Sequence, residues 1–375
     1  MNPSHWIVGA FLALFLVPPF AEGTAAAADF KIIAYLPSWQ GTVGELQLDR
    51  LSHVNYAFVV PSDSGDGSLQ PLDNPAKLSQ LVRAAHTRGV KVLISVGGWN
   101  DGNDTGFELL AASPTARTTF VNNLIALVNT YSLDGLDIDW EYPDPGATES
   151  NYTNLMSALA GAMHSRGKLL TAAVAADGWY GDGVQSAVFG YVDFLNIMSY
   201  EGETPHASYA YAVANLDYWQ SRGLPASKTV LGAPFYAQPG YISYRDAVAA
   251  NPANAYQDCA TMNDSYVCYN GIPTMQQKTE LLLQRGAGMM FWESSMDTTD
   301  GTSLVSAIFA RAHGDRPDLY PNGHLRVAAG NWGRRIVAAQ SGEHCLTSEG
   351  HEVTWSGWSG VQIAPARPTC WGSSS

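Results

Sequence analysis

Positive charge is what this chain has least of. Its 375 residues carry 20 Lys and Arg against 34 Asp and Glu, a formal net charge of −14. Nucleic-acid binding needs basic side chains to displace condensed counterions, so no nucleic-acid partner is expected, and anionic membrane surfaces are disfavoured likewise. Cysteine is scarce at four residues, and no Cys or His cluster has zinc-ligand spacing, so no metal is expected. A calcium loop counted from Asp137 fails, with Tyr142 where glycine is needed and Thr148 where a bidentate Glu is needed. Gly97-Gly98 lacks the spacing of a phosphate-cradling loop, and no organic cofactor is expected either.

Long apolar runs are missing as well. The one candidate, Ile7 to Pro19, falls short of the roughly 20 residues that span a bilayer. It is followed by the small residues Ala25 to Ala28, so residues 1–28 read as a secretory signal peptide, although the leader carries no Lys or Arg. The expected product is a secreted monomer with no membrane attachment after cleavage. Export makes oxidised cysteines the default, and adjacent pairing, Cys259 with Cys268 and Cys345 with Cys370, is the simplest connectivity.

What remains is a globular chain, 46% hydrophobic, with 11 Trp and 18 Tyr. Flat rings of this kind stack on the apolar faces of sugars, although many serve as core. From Lys31 to Trp292, short β-branched or aromatic runs alternate with amphipathic stretches, the pattern of βα units around a parallel sheet. The strands are expected at Ile32 to Leu36, His53 to Val59, Lys91 to Val96, Gly135 to Trp140, Leu169 to Ala175, Phe194 to Tyr200, Thr229 to Phe235 and Gly288 to Trp292. Helices are expected at Asn74 to Thr87, Pro114 to Tyr131, Ser150 to Ser165, Ala210 to Arg222, Thr274 to Arg285 and Thr302 to His313. The fold class is therefore α/β, a (β/α)8 TIM barrel over residues 29–315 with a short insertion between strands seven and eight. Residues 316–375 form a small C-terminal extension in which Trp332, Trp355, Trp358 and Trp371 make either a sugar-binding face or a packing tail.

Along the fourth expected strand and the residue just beyond it, Asp137, Asp139 and Glu141 alternate with Leu136, Ile138 and Trp140. A period of two puts the three carboxyls on one face, where they cannot all ionise cheaply, and one of them should keep a proton near neutrality. Such a group is the acid that glycosidic cleavage requires. Barrel active sites lie at the C-terminal ends of the strands, where this segment ends.

The segment Asp134 to Glu141 spells D-G-x-D-x-D-W-E, and Ser95-Val96-Gly97-Gly98 spells S-x-G-G on the preceding strand. With Met198-Ser199-Tyr200, Gly232 to Tyr236 and Met290 to Glu293, the chain resembles glycoside hydrolase family 18 from Asp29 to His313. That family comprises the chitinases and related endo-β-N-acetylglucosaminidases. The resemblance implies that Glu141 is the general acid and base, that Asp139 hydrogen-bonds Glu141 and the substrate acetamide in turn, and that Asp137 shares a proton with Asp139. It further implies that Tyr200 donates to the acetamide carbonyl and that Trp292 floors the reacting sugar, the substrate's own acetamide oxygen being the nucleophile.

Met198, Tyr35, Trp39, Trp99, Tyr142, Trp179 and Tyr236 are candidate sugar contacts, with burial as packing the alternative for each aromatic. Ser95, Gly97 and Gly98 read as supports, and Asp134 and Gly135 as the start of the strand. Glu201 stands where the family usually has Asp, one methylene longer, and is still expected to reach substrate. The implied activity is retaining, endo-type cleavage of chitin or chitooligosaccharides, with N-glycan cleavage and a non-catalytic chitinase-like lectin as the alternatives.

Overall fold

A closed barrel gives each strand one face toward its interior and one toward the surrounding helices, so apolar residues are needed at both parities. The first strand meets that demand: Ile33 and Tyr35 belong to a small cluster inside the barrel with Ala173, Phe194, Met198 and Met290. Ile32, Ala34 and Leu36 belong to the larger core between strands and helices. The computed structural model describes residues 30–313 and, beyond them, only the short strands Arg335–Ile336, Glu343–Leu346, Glu352–Thr354, Ile363–Ala364 and Thr369–Gly372.

The barrel strands are β1 (Lys31–Pro37), β2 (His53–Val59), β3 (Lys91–Gly97), β4 (Gly135–Asp139), β5 (Leu169–Ala175), β6 (Phe194–Met198), β7 (Thr229–Pro234) and β8 (Gly288–Trp292). Each pairs in parallel with its neighbours, and Lys31 against Gly288 closes the ring. The fourth, sixth and seventh strands end one or two residues sooner than the sequence pattern suggests, which frees Trp140, Glu141, Tyr200 and Phe235 to turn at the barrel rim.

Helices start where the sequence offers caps. Asn74 accepts from the amide of Lys77 ahead of Pro75–His86, Ser113 from Ala116 ahead of Pro114–Tyr131, and Ser208 from Tyr211 ahead of Tyr209–Ser221. Outside the sequence expectation, Thr105–Ala112 follows β3, and the one-turn Gly178–Asp182 follows β5 and borders the site. Among the described residues no helix is long and apolar enough to cross a membrane.

Between β7 and β8 the insertion holds a strand pair, Tyr236–Ala237 with Ile242–Ser243, the helix Tyr244–Ala250, and a hairpin of Cys259–Met262 with Ser265–Cys268. The expected Cys259–Cys268 disulfide closes that hairpin. In the C-terminal strands Cys345 lies across from Cys370. The side chains of that expected bridge, the proposed signal peptide and the tryptophans of the extension lie outside the described residues.

Candidate active site

Register assembles the site before any loop contributes. On adjacent strands Ser95, Asp137 and Thr171 stand side by side, so their inward side chains share one layer of the barrel. Asp137 is fully buried and accepts four hydrogen bonds: from Tyr35 Oη at 2.7 Å, Ser95 Oγ at 2.9 Å, Thr171 Oγ1 at 2.6 Å and Asn196 Nδ2 at 3.0 Å. Burial raises its pKa, while these donors oppose the rise by favouring the carboxylate.

Asp139, two residues on, is buried with no partner on Oδ1. Its pKa is driven well above the usual carboxylate range, first by burial and then by the charges of Glu141 and Asp137. The donors thus oppose the rise at Asp137, whereas at Asp139 burial and two like charges all act in the same direction. The intervening residues face outward. Trp140 is buried, stacked on Phe107 with ring centroids 5.1 Å apart, and its Nε1 donates to Asp104 at 2.8 Å.

Glu141 follows the end of β4 and lines an open cleft of about 930 Å³. Burial, the largest cause, and the charge of Glu201 push its pKa up to about 7, and a hydrogen bond with Tyr142 pulls the other way. The Tyr200 hydroxyl is buried within the field of Asp139 and Glu141, which together with desolvation keeps it protonated and able to donate. Trp292 ends β8, stacks on Phe58 at 5.6 Å, and donates from Nε1 to the Tyr241 hydroxyl.

Two glycines at the end of β3 bring this layout to close quarters. A Cβ on Gly97 would stand 2.3 Å from the carbonyl oxygen of Asp139, and one on Gly98 would stand 2.7 Å from the Phe58 ring. Both adopt positive φ, +111° and +86°, and the Gly98 amide donates to the Asp139 carbonyl at 2.8 Å. Asp134, by contrast, sits at the opposite pole of the barrel, where it accepts from the Val92 amide and from His86; Gly135 beside it begins β4.

Tyr35, Trp39, Trp99, Tyr142, Met198, Tyr200, Glu201, Tyr236 and Trp292 all line the cleft. Tyr35 and Tyr236 do so from its buried floor, Tyr35 spending its hydroxyl on Asp137 and Tyr236 on Glu201. Trp179, 63% exposed, does not line this cleft. On the short helix after β5 its neighbour Tyr180 takes that place, stacked on Tyr142 at 4.7 Å. One residue along a helix is a turn of about 100°, enough to exchange the two rings. Phe58, Asp177, Tyr211 and Tyr241 also line the cleft. The position of Phe58 at the end of β2 was a usable signal. Tyr211 and Tyr241 had none, because they come from a helix start and from the insertion.

Residues 31–297 match the family model for glycosyl hydrolases family 18. Probable chitinase 10 of Drosophila melanogaster is 27% identical over 354 residues, covering 74% of this chain and 15% of that protein. Chitinase A1 of Niallia circulans is 25% identical over 422 residues, covering 77% of this chain and 60% of that protein. The chain thus spans less than two thirds of these two relatives. The solved structure of the chitinase ChiB from the chitin utilization locus of Flavobacterium johnsoniae aligns with a TM-score of 0.66 at 25% identity, covering 78% of this chain and 95% of that one.

Proposed function

The chain belongs to glycoside hydrolase family 18, and from that premise we propose that it is a secreted, retaining hydrolase that cleaves β-1,4-linked N-acetylglucosamine polymers from within. The observation that carries the reading is Glu141, a cleft-lining acid whose pKa burial lifts to about 7, two residues along from the buried carboxyl of Asp139. A general acid works best when its pKa lies near the operating pH.

In the first step Glu141 gives its proton to the glycosidic oxygen as the bond to the anomeric carbon breaks. The acetamide oxygen of the same sugar closes on that carbon and forms a cyclic oxazolinium. Asp139 has an unpartnered buried oxygen for the acetamide N–H, and Tyr200 donates to the acetamide oxygen, so the ring closes in a fixed orientation. Asp137, saturated by its four donors, holds Asp139 in place electrostatically and touches no substrate. In the second step water opens the ring, yielding its proton to Glu141, and the anomeric configuration is retained. Trp292 supplies the apolar floor beneath the reacting sugar.

The insertion between β7 and β8 is short, which supports internal attack on a long chain. The apolar leader supports export.

The test is an assay of the parent protein and a Glu141→Gln variant on N-acetylglucosamine oligomers and on a high-mannose glycoprotein. The expected result is cleavage of the oligomers with the β-anomer formed first, and at least a 100-fold loss of turnover in the variant with binding retained. Release of N-glycans with the oligomers left intact would move the protein to the endo-β-N-acetylglucosaminidases. Binding of oligomers by the parent without turnover would make it a lectin.

A further inference from the structure

Lys278 is a buried charge that the proposed mechanism does not use. It lies on the helix Ile272–Arg285, fully buried, and among the described residues it forms no ion pair. Its ammonium donates instead to two neutral oxygens, the Ala207 carbonyl and Asn270 Oδ1, each at 2.8 Å. Burial pulls its pKa down to about 7 against the charges of Asp258 and Glu203. Both of those carboxylates are engaged elsewhere, Asp258 by the Gly271 amide and Thr274 Oγ1, Glu203 by the Ser208 amide. A cation taken out of water without a counter-ion weakens a fold, and an apolar side chain of like length would fill the slot more favourably. The ammonium therefore calls for a purpose other than stability.

What it holds is the connection after β6. Residues 201–208 begin at Glu201 and end at Ser208, which caps the helix Tyr209–Ser221. Ala207, buried at φ 59°, presents its carbonyl to Lys278 and also to Asn270 Nδ2, again at 2.8 Å. One residue back, His206 is buried with its ring centroid 5.3 Å from that of Tyr236 and its Nε2 at 3.1 Å from the Tyr236 carbonyl oxygen. A carbonyl oxygen only accepts, so the imidazole proton sits on Nε2. Burial lowers the pKa of His206, and the charge of Lys278 acts in the same direction. Tyr236 in turn donates to Glu201 at 2.6 Å. The run of contacts that starts at Lys278 thus ends on the carboxylate whose charge helps to raise the pKa of Glu141.

Resting on the hydrolase reading above, we propose that Lys278 is a positioning residue of the active site, which clamps the Ala207 carbonyl together with Asn270 and so fixes where Glu201 stands relative to Glu141. Lys278 touches no substrate. It ties the loop after β6 to the helix that leads into β8, and its effect on the reaction passes through Glu201.

The test replaces the ammonium by an apolar end of like length, Lys278→Met, alone and together with Glu201→Gln. The titration of Glu141 is followed by NMR of the glutamate carboxyl carbons, its signal assigned by its loss in Glu141→Gln, and kcat/KM is measured on the fully acetylated hexamer. Lys278→Met should lower the Glu141 midpoint by about half a pH unit or more and kcat/KM by about tenfold, with the melting temperature held or raised. In the Glu201→Gln background the same substitution should move neither, because the charge through which it acts is gone. A Glu141 midpoint equal to the parent's, or equal effects in both backgrounds, overturns the inference and makes Lys278 a packing residue. Should Lys278→Met not fold, Asn270→Ala, which withdraws the other donor from Ala207, takes its place under the same criteria. A parent that leaves the hexamer intact overturns the hydrolase reading, and the Glu141 midpoint still decides the clamp.

Discussion

Tyr236 donates a 2.6 Å hydrogen bond to Oε1 of Glu201. The longer side chain that replaces the family's usual Asp is therefore tethered, with Gln238 Nε2 as a second donor at 3.2 Å. Both donors belong to the insertion after β7, so this peripheral segment sets the position of a charge that faces Glu141.

Removing the tether should show what it does. Tyr236→Phe is expected to lower kcat/KM on N-acetylglucosamine oligomers by 10- to 100-fold, since misplacement of a positioning group by about 1 Å costs that order of rate. Steady-state kinetics with an unchanged melting temperature is the check. A variant equal to the parent would show that Glu201 finds its place unaided.

The pH profile follows from Glu141. In the proposed mechanism activity needs its proton, and its pKa is pushed up to about 7, so kcat/KM should fall as pH rises through that value. The charge of Glu201 is one cause of the elevation, and a like charge disfavours ionisation. Glu201→Gln should therefore move the alkaline limb to lower pH. Burial, the larger cause, is untouched and should keep the limb above the ordinary carboxylate range. An unmoved limb in the variant would assign the whole elevation to burial.

The disulfide reaches the site through main-chain pairing. Cys268 and Gln238 exchange hydrogen bonds at 2.9 and 2.8 Å, and Gln238 in turn donates to Glu201. Replacing Cys259 and Cys268 by Ser opens a short loop, which by chain entropy costs about 2 to 3 kcal/mol. The expected outcome is a lower melting temperature together with a raised KM. A loss of stability alone would detach the hairpin from function.

Gly97 and Gly98 should differ in their tolerance of alanine. At Gly97 the added Cβ meets a backbone carbonyl that cannot yield, and at Gly98 it meets the edge of the Phe58 ring. Both substitutions incur the cost of positive φ, but Gly97→Ala should be the worse, at more than about 3 kcal/mol by urea unfolding. Gly98→Ala should instead act mainly on KM, because Phe58 is stacked on Trp292.

Much of the molecule was legible beforehand. The limits of β2, β5 and β8 agree with the sequence pattern residue for residue, because turn residues bracket each run. The parity of Asp137, Asp139 and Glu141 was equally plain, since alternation on a strand is a local rule. Local rules stop at the rim. Trp179 and Tyr180 are adjacent and alike in composition, and only the short helix after β5 decides which of them turns to the cleft. Tyr241 reaches Trp292 from 51 residues away, a contact that no spacing announces.

The sequence by itself determined the barrel, the order of its strands and the three alternating carboxyls, because periodicity and turn chemistry act over a few residues. The tertiary structure decided how those carboxyls differ. Closing the barrel surrounds Asp137 with donors from β1, β3, β5 and β6, buries Asp139 with its Oδ1 unpartnered, and brings Glu201 to face Glu141. Desolvation and charge at close range depend on neighbours that lie far along the chain, and for that reason the protonation pattern was not written in any one segment.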